Sequence, residues 1–124
     1  MRVESIVTSD NKLRYILVDD FGDPVEPVLK YLKYKDNTGA ARNTLRAYCY
    51  HLKLFYEYLE QEQLDYQNIG LDEMAAFMRW LQNPYRNIKV SPIREVSSSR
   101  TARTINLVIS AVISLYDYLM RHED

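Results

Sequence analysis

Two stretches of this chain concentrate side chains that hold anions and read polar edges. Arg42, Asn43, Thr44, Arg46, Ala47, Tyr50, His51 and Lys53 fall in one, and Arg94, Ser99, Arg100, Thr101, Arg103, Thr104, Asn106 and Ser110 in the other. Arginine offers a rigid fork of donors that fits phosphate or guanine, asparagine pairs bidentately with adenine, and hydroxyls add hydrogen bonds to phosphate. From residue 37 to 56 the charged side chains are Arg42, Arg46 and Lys53 with no acid. From 86 to 107 they are Arg86, Lys89, Arg94, Arg100 and Arg103 against Glu95 alone, while Glu57, Glu60, Glu62, Asp65, Asp72 and Glu73 gather between the two runs. A net charge of −1 taken alone speaks against nucleic-acid binding, yet this segregation makes the folded domain electrically two-sided if the basic runs come together. Taken only as charge clusters, the same residues also fit ordinary solvated faces.

Other chemistries find little support. His51 has no serine, cysteine or carboxylate at a spacing that would make it a general base, so it is read as a surface or nucleic-acid-facing residue. Cys49 is the single cysteine; it has no disulfide partner and no second thiolate for zinc, and is expected in the core. No phosphate loop, metal cluster or dinucleotide fingerprint appears, so no cofactor and no metal are expected. With 124 residues, 47% of them apolar, the chain fits one domain with one modest core. No run approaches the roughly 18 apolar residues of a membrane span, and the start Met1-Arg2-Val3-Glu4-Ser5 lacks the features of a secretory signal, so a cytoplasmic, intracellular location is expected.

The elements that must position these groups follow from periodicity. Residues 2–20 predict a hairpin, with β-branched and aromatic runs at 2–7 and 13–18 flanking the turn formers Ser9, Asp10 and Asn11. Two strands alone are marginal, so the hairpin must lean on the helices or on a partner. Pro24 opens a predicted first helix in which Val25, Val28, Leu29 and Leu32 recur, ending near Asn37, Thr38 and Gly39. A second helix starts at Arg42 or Asn43, capped by Asn43 or Thr44, with the stripe Leu45, Tyr48, Cys49, Leu52, Phe55, Tyr56 and Leu59 facing the core. The third runs from about Leu71, with Asp72 and Glu73 favourably placed in its first turn, Met74, Phe77, Met78 and Leu81 along one side, Trp80 at the core edge, and Asn83-Pro84 as its stop. Residues 85–99 read as a loop. The fourth helix begins near Thr101 and buries Ile105, Val108, Ile109, Val112, Leu115, Tyr116 and Leu119, with Arg103, Asn106, Ser110, Ser114 and Asp117 opposite.

Two of these helices carry a resemblance. Thr44, Tyr48, Leu52, Phe55 and Tyr58-Leu59 look like the first conserved block of the core-binding domain of tyrosine recombinases, the phage integrase family. Thr104-Ile105-Asn106, Ile109-Ser110-Ala111-Val112, Leu115-Tyr116 and Tyr118-Leu119 look like the second, and the length of 85–99 resembles transposon-type integrases. The likeness covers residues 24–121. It implies a mainly α fold, a four-helix SAM-like bundle at 23–124 preceded by a short β-hairpin arm at 1–22. The last helix departs from the family pattern, carrying Leu107, Val108 and Ile113 where members often carry arginines.

The resemblance further implies that the chain clamps double-stranded DNA at a recombination site, with helices two and four approaching the major groove and free N–H groups at their starts, around Asn43-Thr44 and Ser99-Arg100-Thr101, meeting phosphate. Cleavage belongs to a carboxy-terminal catalytic domain of the same protein, so this chain is expected to be a non-catalytic fragment of a longer recombinase, acting with other recombinase protomers on DNA. Tyr116 and Tyr118 are expected to be structural, since no arginine constellation surrounds them. The alternative is a non-catalytic helical protein-protein interaction module.

Overall fold

A computed structural model describes residues 1–82 and 100–122. The predicted hairpin is present as β1 (Arg2–Val7) and β2 (Leu13–Val18), antiparallel with Arg2 opposite Val18 and Val7 opposite Leu13. Leu17 and Val18 are buried, so the end of β2 is built into the core while the turn at residues 8–12 reaches outward. Four helices follow, α1 (Glu26–Asn37), α2 (Arg42–Glu62), α3 (Leu71–Gln82) and α4 (Ala102–His122), with one 3-10 turn at Tyr66–Asn68 between α2 and α3. This is the four-helix bundle with an amino-terminal hairpin that the sequence predicts. The stretch 83–99, including the expected Asn83-Pro84 stop and loop, lies outside the described residues.

The first helix begins later than Pro24. Pro24 instead forms an isolated β-bridge with Val18, and the Val25 N–H donates to the Leu17 carbonyl at 2.9 Å, so this stretch stays extended along β2. Pro27 is the proline in the first helical turn, where its missing N–H costs nothing. At the other end Gly39, at φ +96°, reverses the chain, and the Ala40 N–H reaches the Lys35 carbonyl. The α2 cap is Ala41, without a side-chain hydrogen bond, so Asn43 and Thr44 sit inside the first turn rather than before it. Gln63 ends α2 in the left-handed region at φ 55°, and the Leu64 N–H closes back on the Leu59 carbonyl at 2.8 Å.

The core lies where α2 crosses α4, the most extensive helix pair, with α1, β2 and α3 packed around them. Phe55 is at its centre, its ring meeting Tyr56, Phe77 and Tyr116 edge-on at 5.2–5.8 Å. The α2 stripe is buried except for Tyr48, which is half-buried, and Tyr58 joins it. On α4, Ile109 and Tyr116 are half-buried and Ala111 is fully buried. Ser114 faces inward, contrary to its expected outer position, because its hydroxyl pairs with the buried Tyr31 hydroxyl of α1 at 2.6 Å. Met78 of α3 is exposed, and Trp80 packs at the core edge.

Candidate nucleic-acid interface

On α2 the residues Arg42, Asn43, Thr44, Arg46, Ala47 and Tyr50 are all exposed, on the side away from the stripe Leu45, Cys49 and Leu52. Helical spacing puts Arg42, Arg46 and Tyr50 on one ridge. The Arg46 guanidinium lies 5.0 Å from the ring centre of Tyr50 and 5.9 Å from that of Tyr15 on β2. Beside the helix start, Asn11, Lys12 and Arg14 of the hairpin and Ala41, Arg42 and Asn43 line an open groove of about 380 Å³. Neither Arg42 nor Arg46 has a carboxylate partner among the described residues. Lys53 differs, since its ammonium pairs with Glu57 one turn on at 3.5 Å. His51 is half-buried, and desolvation lowers its pKa, so near neutral pH its imidazole offers hydrogen bonds rather than charge.

On α4 the exposed residues Arg103, Asn106 and Ser110 succeed one another at helical spacing. Thr101 caps the helix: its hydroxyl accepts from the Thr104 N–H at 3.2 Å and donates to the Thr104 hydroxyl at 3.0 Å. Arg100 is tied into the fold, donating to the Leu81 carbonyl at 3.0 Å and lying 5.9 Å from the Trp80 ring. The expected contacts at Arg94 and Ser99 lie outside the described residues.

Among the described residues Arg46 and Arg100 do not share one patch. Trp80, under Arg100, meets Tyr58 near the end of α2, at a ring separation of 5.6 Å, whereas Arg46 lies near the start of α2 beside the hairpin. At a rise of 1.5 Å per residue, the twelve residues from Arg46 to Tyr58 correspond to about 18 Å along the helix. Arg46 and Arg100 thus stand toward opposite ends of α2. Tyr15 and Trp80, whose rings lie beside arginines at these two ends, were not among the expected site residues. The available signal for Tyr15 was β2 alternation, which puts it on the same face as the buried Leu17.

A helical bundle with exposed cations at two helix starts is what the resemblance implies, and residues 28–123 match the family described as phage integrase, N-terminal SAM-like domain. The chain belongs to that family. It is similar to transposase A from transposon Tn554 of Staphylococcus aureus, 40% identical over 107 residues that cover 86% of this chain and 29% of that protein. It is also similar to tyrosine recombinase XerC of Leptospira interrogans, 30% identical over 83 residues that cover 67% of this chain and 26% of that protein. The chain therefore spans less than a third of the length of these relatives. No solved structure matches it. Among the described residues no helix is long and apolar enough to cross a membrane.

Proposed function

We propose that this domain grips duplex DNA at the recombination site of a site-specific tyrosine recombinase, in DNA integration or recombination, and leaves strand cleavage to a catalytic domain elsewhere in the full-length protein. Neighbouring recombinase protomers on the same DNA complete the assembly. The observation that carries this reading is the exposed arginines at the starts of two helices without carboxylate partners among the described residues, Arg42 and Arg46 on α2 and Arg103 on α4, whereas Arg2, Lys12, Arg14, Lys30, Lys53 and Arg121 are ion-paired. Asn43, Thr44, Tyr50, Thr101, Thr104, Asn106 and Ser110 supply uncharged donors and acceptors around them, with Ala47 as an apolar neighbour. Two patches about 18 Å apart along α2 suit contact with two separate stretches of DNA backbone.

The test is the salt dependence of duplex binding, followed by fluorescence anisotropy. Release of counterions from three phosphates lowers affinity about fortyfold over a fourfold rise in salt. Reversing both charges, Arg46→Glu with Arg103→Glu, is expected to weaken binding at least about tenfold while leaving the melting temperature in place, because both side chains are exposed. Affinity that ignores salt and both substitutions would instead support the helical interaction module, which the exposed Leu107 and Ile113 on α4 favour.

A further inference from the structure

The hairpin lies before the residues that match the family, yet it touches the arginine row. Tyr15 on β2 and Tyr50 on α2 stand 35 residues apart in sequence and bring their rings to 5.9 Å and 5.0 Å from the same guanidinium, that of Arg46. Arg14, the neighbour of Tyr15, fastens the strand to α1 through two hydrogen bonds to the Asp36 carboxylate, at 2.7 and 3.0 Å. The Tyr15 ring is thus carried on an anchored strand, whereas Arg46 is otherwise an exposed side chain with no carboxylate partner among the described residues. A guanidinium resting against aromatic rings is attracted to their faces and keeps its in-plane N–H donors available for an anion. A long cationic side chain ordered in this way before binding loses less rotamer freedom on contact.

We infer that Tyr15 is a positioning residue: together with Tyr50 it holds Arg46 in the orientation that donates to duplex DNA, and so makes the amino-terminal hairpin a working part of the DNA-binding surface. The inference rests on the DNA-binding role proposed above. The open groove shared by the hairpin turn and the start of α2 extends the same surface past Lys12 and Arg42.

The experiment is a mutant cycle on the 124-residue chain, with binding to a mixed-sequence DNA duplex read by anisotropy at low salt. Tyr15→Leu, which keeps an apolar side chain but removes the ring, is expected to weaken binding about two- to fivefold, the range of one exposed cation–π contact. Tyr15→Phe should bind like the parent chain, and in an Arg46→Ala background Tyr15→Leu should change nothing further. An equal loss in both backgrounds, or parental binding by Tyr15→Leu, overturns the inference. Should Tyr15→Leu unfold the hairpin, the side-chain Nε–H of Arg46 in the parent chain decides: its heteronuclear NOE should report a side chain held as rigidly as the backbone, with Arg42 mobile. Equal mobility of the two arginines overturns the inference. If the parent chain binds no duplex at all, the DNA-binding role fails and this inference with it; binding that needs Arg46 and ignores Tyr15 overturns the inference alone.

Discussion

Cys49 and Tyr31 show how burial governs single groups in this domain. Cys49 is fully buried, and desolvation pushes its thiol up to about 12 from an ordinary 9.0. Desolvation also pushes the Tyr31 hydroxyl up to about 12 from 10.0, against the opposing effect of its hydrogen bond to Ser114. Both groups ionise first in the unfolded chain. Their contribution to stability is therefore intact below pH 9 and is lost as pH rises through the range from 9 to about 12. A disulfide reagent at pH 8 is expected to modify Cys49 only as fast as the chain unfolds, and rapid labelling of the native chain would show the thiol to be accessible. That Cys49 belongs to the core is legible in the helical spacing from Leu45 to Leu52. The inward turn of Ser114 is not, because its partner Tyr31 lies 83 residues away and a tyrosine fits core or surface equally well. The same holds for Arg100, whose type suits phosphate but whose donor reaches the Leu81 carbonyl across a stretch of chain that no local pattern folds back.

At the level of elements, the hairpin depends on a few anchors to the helices. Leu17 and Val18 enter the core, and the Arg14–Asp36 ion pair joins the start of β2 to the end of α1. The Arg14 guanidinium holds the Asp36 carboxyl below its ordinary value of 3.8, so the pair contributes above that pH and is lost as pH falls through the lowered value. Both side chains keep part of their surface in water, which screens the pair and limits what it contributes. Asp36→Asn is expected to speed amide exchange across residues 2–7 and 13–18 without changing exchange in the middle of α2. An unaltered hairpin would assign its anchoring to Leu17 and Val18 alone. The periods of two and 3.6 residues made both strands and all four helices legible. Helix starts were less so, since two prolines three residues apart compete for the first turn of α1. The bridge between Pro24 and Val18 decides for Pro27, and that pairing depends on where β2 ends.

At the scale of the whole molecule, stability rests on one aromatic-rich core at the crossing of α2 and α4. Leu52 is completely buried there, and Leu52→Ala is expected to cost about 2–5 kcal/mol in denaturant unfolding. Ile109→Ala should cost less than Leu52→Ala, because Ile109 is only half-buried; an equal cost would mean the edge of α4 is as closed as its centre. The separation of the two cationic patches also belongs to this scale. Counting charges along the chain shows two basic runs but not how far Arg46 stands from Arg100, which follows from how α3 carries Trp80 to the second half of α2. The two-stranded sheet has a further consequence for how copies of the chain meet. Apart from β2, strand β1 has no strand neighbour among the described residues, and such an edge is a template for strand addition. Arg2 and Glu4 stand on it, joined to each other at 2.6 Å and both open to water, so a strand docking there would have to displace or desolvate two charges. Near the turn Val7 is 66% exposed, and no such charge stands beside it on β1. Edge-to-edge aggregation, where it occurs in concentrated solutions of this domain, should start from that end of β1 and be suppressed by Val7→Lys.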